Sequence, residues 1–586
     1  MAQQMGRQGT GQHSVGQGGP APEDRAPAAE DVQPASAAAA QLQPGAARAD
    51  DALPNEAPAE PEGHRSRGAS ALRGLGFLIL AALMTVLVLL QQRAAGAYMA
   101  EFSATSPAEA GHVVTGLMLA DYVAAGFPPL LAFISDFALH FPRVVLGATP
   151  PLYYLAEGAW ILLLTAATPA ILLLPAVLTA LLVVTAGWAT SRALGILPGL
   201  AVGAVLMVLP VVREATIVVG LELPLALLTL WALLAYAAYL ARPGRGIAAL
   251  FGLLAAAAVL VHSAGLSLLL LPLIAALITG RLALARRFDF WLPFLVVLVV
   301  AGPWTIGTAP LVLNRLPTPL GAAALAAPGA VGAFAAAAIG VVLAGLAVIG
   351  GIAGWVRAPR HRHALAPAVL ALGALLLAVG LGVLAAPVSP QAALPLCAPL
   401  VMLAAFGGMR LLQLLTRSWS TLSGLVVMLV LLLCALPSVL VPLHKPAVGM
   451  DGVAQTFLAD PGAPRAILVV ADVAGEGALI AAVAQRDRAR QSFVVPGRMA
   501  LAISGRGPAA GVPLETPDDV RPALEQLGVG YVALADWTDD ADPLHTLLAG
   551  AIAAAPEAFR PLGSFPRADG RGTTRLYVRV PASGAE

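Results

Sequence analysis

The sequence predicts a polytopic α-helical membrane protein with about 11 transmembrane helices, followed by a C-terminal extracytoplasmic α/β domain. Three observations predict it. Of 586 residues, 58% are hydrophobic and only 11% charged, whereas soluble domains carry roughly 25% charged residues; the mean hydropathy is +0.81. Apolar runs, each about as long as a bilayer core requires, recur from Leu72 to Leu443. From His444 onward the pattern changes to short β-type runs alternating with amphipathic helical stretches.

Residues 1–71 are dominated by Ala, Pro, Gln, Gly and Glu, with few aromatic or β-branched side chains. Such a segment cannot bury enough apolar surface to offset chain entropy, so a disordered cytoplasmic tail is expected. It lacks the early hydrophobic core of a signal peptide. The membrane module is expected over 72–443.

Twelve apolar runs occur in that module, and arginines decide which of them cross, because short cytoplasmic loops collect Lys and Arg. Arg65, Arg67 and Arg73 precede the first run, placing the N-terminus in the cytoplasm. The later clusters are Arg192; Arg242 and Arg245; Arg281, Arg286 and Arg287; Arg357 to His363; and Arg410 with Arg417. All fall on the cytoplasmic side only if the run 150–167 does not cross. That run, with its Pro150-Pro151 start and Tyr153, Tyr154, Glu157 and Trp160, is therefore read as an interfacial helix. The first outer loop then extends over 93–169 and carries further amphipathic stretches near 107–125 and 128–141.

In the region 444–586, Ala466 to Ala471 is read as a buried strand and Gly475 to Arg486 as a helix. Ser492 to Val495 is a second strand, and Thr516-Pro-Asp-Asp519 opens a second helix. A strand at Tyr531 to Ala535, a helix at Leu544 to Ala554 and a strand at Arg575 to Val580 complete a βαβ pattern. No GxGxxG or P-loop accompanies it.

The balance of 34 basic and 33 acidic residues gives a net charge of +1, which excludes a strong field for nucleic acid. Cys397 and Cys434 lie in apolar runs and are read as core residues. Lys445 is the only lysine, and the arginine, alanine, glycine and proline excess suits a GC-rich bacterial genome.

Ionisable groups near membrane depth are candidate site residues. On the outer side these are Glu101, Glu109, His112, Asp121, Asp136, Glu157, Arg213, Glu214, Glu222, His262 and Arg315. Glu101, Asp121 and Asp136 are read as solvated faces of interfacial helices. Arg213 is either a structural partner of Glu214 or Glu222 or a free cation, and His262 either a local backbone partner or a site residue. Glu109 follows Ser106-Pro-Ala, where a carboxylate serves either the helix dipole or chemistry.

The stretch from Ser106 to Tyr122, followed by Phe141-Pro-Arg-Val-Val-Leu-Gly-Ala-Thr-Pro-Pro-Leu-Tyr-Tyr154, resembles the first outer loop of polyprenyl-phosphate-sugar-dependent integral-membrane glycosyltransferases. This group, with the C-type glycosyltransferase fold, includes protein O-mannosyltransferases and lipid A aminoarabinose transferases. Phe290-Trp-Leu-Pro293, Ala301-Gly-Pro-Trp304 and Asp472-Val-Ala-Gly-Glu-Gly477 extend the resemblance over about 72–580.

The resemblance implies transfer of a sugar, with inversion, from a polyprenyl phosphate to an acceptor at the outer face of a bacterial cytoplasmic membrane. It implies Glu109, Glu222 and His262 as catalytic candidates and Arg213, His112, Pro150, Pro151 and Tyr153 as substrate-binding candidates. The polyprenyl-phosphate sugar and membrane lipid are the implied partners. The acceptor and the cofactor stay open, a divalent metal included, since no clear ligand set stands out. Departures are visible. Ala108-Glu109 stands where relatives carry Asp-Glu, Ala148 where a His is common, and Glu222 where an Asp is usual. His262-Ser263 replaces a Lys-Gly pair, and Gln391-Ala392 an Arg-Tyr type pair. These losses support an alternative, a catalytically degenerate member that binds a lipid-linked sugar or a partner protein.

Overall fold

The computed structural model describes residues 65–147, 149–313, 322–384, 390–416, 421–462, 464–503, 511–536, 543–568, 570 and 572–580. Most of the tail expected over 1–71 lies outside the described residues, as do Ala148 and Arg315. The chain is a multi-pass helical membrane protein with a C-terminal β-sheet region.

The first helix, α1 (Arg65–Ala94), leads into the long loop read from sequence as the first outer loop, which carries α2 (Glu109–Ala124), α3 (Leu130–His140) and α4 (Leu152–Leu163). With 12 residues, α4 is about 18 Å long and too short for a core of about 30 Å. Then follow α5 (Thr168–Leu194), α6 (Ile196–Val208), α7 (Pro210–Ile217), α8 (Glu222–Ala241) and α9 (Arg245–Val261). A 3-10 segment, Ser263–Leu270, precedes α10 (Leu271–Ile278). The remaining helices of the module are α11 (Phe288–Val300), α12 (Gly302–Leu313), α13 (Ala322–Ile339), α14 (Val341–Arg357), α15 (Leu365–Leu384), α16 (Leu394–Thr416) and α17 (Thr421–Val439).

The expected count of 11 spans is not met by length. Among the described residues six helices are long and apolar enough to cross, or up to nine if each of three bent pairs is one span. The other two expected runs are the 17-residue α9 and the 3-10 segment with α10, both shorter. The breaks have local causes. Pro210 forces Leu209 out of the helical region (φ −58°, ψ 129°), so α6 and α7 meet at 58°. Gly340, at φ +85°, sits at the 116° bend between α13 and α14; a positive φ suits glycine.

Small residues let the helices close up. Gly350 of α14 and Gly407 of α16 face each other so tightly that a Cβ on either would strike the other helix's backbone, at Leu403 and Leu346 respectively. This is the close backbone approach expected where lipid supplies no hydrophobic driving force between helices.

Beyond α17 come α18 (Met450–Ala459), β1 (Ala466–Val470), α19 (Val473–Arg486), β2 (Phe493–Pro496), α20 (Gly497–Ala500), β3 (Leu501–Ile503), β4 (Val512–Leu514), α21 (Val520–Gln526), β5 (Tyr531–Ala535), α22 (Pro543–Ala554), β6 (Phe559–Pro566) and β7 (Thr573–Arg579). Strand order in the main sheet is β2-β1-β5-β7-β6, with β3 and β4 forming a separate pair. β1 runs parallel to β2 and β5, whereas β7 is antiparallel to β5 and β6. Asp472 Oδ1 accepts from Gly475 N at 2.7 Å, which caps α19. At Thr516 the capping box forms with Asp519.

This region sits directly on the first outer loop. A Cβ at Gly477 of α19 would lie 2.8 Å from Ser103 Oγ and 3.1 Å from Ala110 Cβ. The loop's acidic groups, expected as solvated faces, are instead used for docking. Glu101 accepts from Val448 N (2.7 Å) and Asp451 N (3.0 Å). Asp121 pairs with Arg488, and Asp136 with Arg490 at 3.3 Å. Arg490 also lies 4.6 Å over the Phe133 ring, and His140 stacks on Phe493 at 4.1 Å.

Candidate active site

Apart from the docking residues Glu101, Asp121 and Asp136, the described residues flagged in the sequence lie in or beside three groups: a buried ion pair, a buried aromatic network and a cavity. The ion pair joins Glu109 to Lys445, with both side chains fully buried. Lys445 Nζ donates to Glu109 Oε1 at 2.8 Å, to Oε2 at 3.0 Å and to the Ile217 carbonyl at 2.8 Å. Glu109 also accepts from Ser103 N at 2.7 Å and Val219 N at 2.9 Å. An ammonium has three donors, and all three are used here. Glu109 is a catalytic candidate of the resemblance; here its oxygens are saturated by fixed donors, the environment of an anchor.

The pair clamps three segments together. Glu109 belongs to the first outer loop, Ile217 and Val219 to the α7–α8 junction, and Lys445 to the strap after α17. Arg213 has a related task. Its Nη1 donates to the carbonyls of Val441 (2.7 Å) and Ser438 (3.2 Å), at and just beyond the C-terminal end of α17, where a cation also complements the helix dipole. Of the two readings of Arg213, the pairing with Glu214 or Glu222 is absent among the described residues, and this guanidinium donates to backbone.

The second group centres on α2 and α4. Tyr154 OH is 2.8 Å from His112 Nδ1 and 2.8 Å from Thr149 Oγ1, while Thr149 donates to Val145 O at 2.9 Å. Since Thr149 spends its proton on that carbonyl, Tyr154 donates to Thr149 and receives from His112. The histidine therefore carries its proton on Nδ1, leaving Nε2 as an acceptor. Burial pushes the His112 pKa down to about 4, aided by His262 nearby. Glu157, 1% exposed, has no hydrogen-bond partner for either oxygen among the described residues. Burial, with the Glu109 charge, pushes its pKa well up from the usual carboxylate range. Burial is also the main reason the Tyr153 pKa rises, and Glu157, Tyr154, Glu109 and Glu222 lie near enough to add repulsion. Pro150 and Pro151 lead into α4, Pro151 at its N-cap. His262 Nδ1 accepts from Ala264 N at 3.1 Å, its local backbone reading.

The third group lines a cavity of about 250 Å³. Glu214 faces it from α7 and Glu222 from the start of α8, Thr105 and Ser106 from the first outer loop, Gln391 from the 3-10 turn just before α16 and His444 from the strap. Glu222 opens α8, and its carboxylate folds toward the backbone N–H groups of Leu221 and Glu222. The Glu109–Lys445 clamp lies behind this wall, since Ser106, Val218 and His444 are chain neighbours of the groups it ties. His444 and Lys445 were not assigned a site role from sequence; their signal was a lone lysine immediately after the last apolar run. Among the described residues no cluster of three or more His, Cys, Asp or Glu could hold a metal ion.

The fold was compared with solved structures. Apo ArnT from Cupriavidus metallidurans superposes at a TM-score of 0.52 with 15% identity, covering 88% of this chain and 100% of that one. The chain has the ArnT fold. The same enzyme bound to undecaprenyl phosphate gives a TM-score of 0.53 at 15% identity, over 87% of this chain and 99% of that one. No protein-family model and no curated protein sequence matches the chain. The ArnT fold accounts for the membrane helices and the C-terminal sheet region together, because the likeness runs over nearly the whole chain.

Proposed function

We propose that this protein is a membrane glycosyltransferase that moves a sugar from a polyprenyl-phosphate donor to an acceptor hydroxyl. The observation that carries the reading is the cavity where Glu222, Glu214 and His444 meet at one end of an ArnT-type helix bundle. Glu222 is the base. Its carboxylate takes the proton of the acceptor hydroxyl as the oxygen forms a bond to the anomeric carbon, and the bond from that carbon to the polyprenyl phosphate breaks. The configuration inverts in this single displacement. His444, when protonated, offsets charge on the departing phosphate. The positive-inside pattern of the arginines supports an orientation with this cavity at the outer face, the N-terminus cytoplasmic and the region from 444 onward outside; a bacterial cytoplasmic membrane is the setting the resemblance implies. Undecaprenyl phosphate, the lipid in the ArnT complex, is the carrier chemistry to try first.

A second reading, a degenerate member that binds lipid-linked sugar without transferring it, is favoured by one specific observation. Glu109 and Arg213, the carboxylate and cation expected to do chemistry, are both bonded to structural partners. The discriminating experiment is transfer from radiolabelled undecaprenyl-phosphate sugars in nanodiscs, with wild type and Glu222→Gln compared. Turnover that falls by more than about 100-fold in the variant supports the enzyme. Binding without turnover in the wild type supports the second reading.

A further inference from the structure

A second and larger cavity, about 730 Å³, lies at the other end of the same helices. Glu222 at the start of α8 lines the first cavity and Ala241 at its end lines the second, about 30 Å apart at 1.5 Å per residue. Leu394 and Gln413 mark the two ends in the same way along α16.

The lining of this second cavity has two parts. One is basic: Arg192, Arg357, Arg362 and Arg410, with His363. The other is apolar, built from small and aliphatic side chains of α5, α8, α14 and α15 with Phe406 and Met409 of α16. Among the described residues no carboxylate lines it. None of the four arginines forms a salt bridge among the described residues; Arg192 lies over the Trp188 ring and Arg410 reaches Gln413. Four guanidiniums brought into one cavity without an acid repel one another, so the site is short of negative charge. The rim is apolar, since Val356 and Leu411, beside Arg357 and Arg410, are exposed at 68% and 42%.

We propose that this cavity binds an anionic phospholipid. The phosphodiester headgroup sits among Arg357, Arg362, Arg410 and Arg192, where guanidinium forks match phosphate oxygens. The acyl chains leave along the apolar wall into the bilayer. A soluble anion satisfies the arginines but leaves that wall uncovered, whereas a lipid fills both parts. Basic pockets between helices near the membrane surface are suited to such headgroups. The site is separate from the transfer cavity and does not depend on its chemistry.

The test uses the full chain in nanodiscs of phosphatidylcholine alone or with phosphatidylglycerol, with thermal unfolding as the readout. Phosphatidylglycerol is expected to raise Tm by about 5 °C, and the double variant Arg357→Gln/Arg362→Gln is expected to lose that rise. Equal Tm values in the two lipids overturn the proposal. So does a rise of the same size produced by inorganic phosphate in phosphatidylcholine alone, or a rise that persists in the double variant. If the variant does not fold, spin-labelled lipids on the wild type decide. A larger immobilised fraction for phosphatidylglycerol than for phosphatidylcholine supports the site, and equal fractions overturn it.

Discussion

Lys445 Nζ lies 2.8 Å from Glu109 Oε1 across 336 positions of sequence, and this buried pair fixes the strap after α17 against the first outer loop. Removing one partner leaves the other charged in a dry site, which costs about 3–5 kcal/mol. Lys445→Met is therefore expected to lower stability by that amount and to release His444 from its place at the cavity. Glu109→Met/Lys445→Met together should cost clearly less than the sum of the single changes. Chemical denaturation in mild detergent checks this, and strict additivity contradicts the clamp.

Arginine is expected to be a poor replacement for this lysine. The three acceptors, two carboxylate oxygens and the Ile217 carbonyl, match three tetrahedral ammonium donors, and a planar fork cannot address them in the same volume. Lys445→Arg should reduce transfer at least about tenfold while keeping the net charge. Activity equal to wild type contradicts the geometric account.

The His112 pKa, pushed down to about 4 in the fold, ties stability to pH. The unfolded chain binds a proton on this ring below about pH 6.5, whereas the folded chain stays neutral to about pH 4. Stability from neutral His112 is full above the unfolded value and is lost as pH falls between these limits. Glu157 works in the opposite sense, because its raised pKa favours the folded state at low pH and withdraws that support as pH rises. Comparing the Tm of wild type and His112→Gln across pH 4 to 7 isolates the histidine. The variant should have the flatter acid limb, and parallel curves contradict the lowered pKa of His112 in the fold.

Gly477 is the contact point between α19 and the first outer loop. A leucine there meets Ser103 and Ala110, and overpacking of this kind costs about 1–3 kcal/mol. Gly477→Leu should make the C-terminal region more sensitive to limited proteolysis while leaving the membrane helices folded. An unchanged digestion pattern contradicts the docking described above.

The membrane helices and most strands were legible because apolar run length and alternation are local properties. The number of crossings was less so. Pro210, the 3-10 segment after His262 and Gly340 break or shorten runs that composition alone makes continuous. β6 escaped detection for a physical reason: Pro561, Gly563 and Pro566 dilute its β character. It lies at the sheet edge with an irregular register between Pro561 and Gly563, where such residues are tolerated. The outer acidic residues were visible, but their partners were not. Asp121, Asp136 and Glu101 bond residues more than 340 positions away, so a surface charge and an interdomain anchor look identical in one dimension. Glu222 was legible as a candidate because it opens a helix after a short outer loop. His444 was not, because only the fold brings the strap beside that loop.

The claim that a polyprenyl phosphate occupies the Glu222 cavity is tested most directly by photo-crosslinking. A polyprenyl phosphate carrying a photoreactive group near the phosphate is added to the reconstituted full chain, and adducts are mapped by mass spectrometry. The account predicts adducts on peptides holding Ser106, Glu222 or His444, competed away by unlabelled undecaprenyl phosphate. Competed adducts confined to other surfaces, with these three peptides unlabelled, would contradict it.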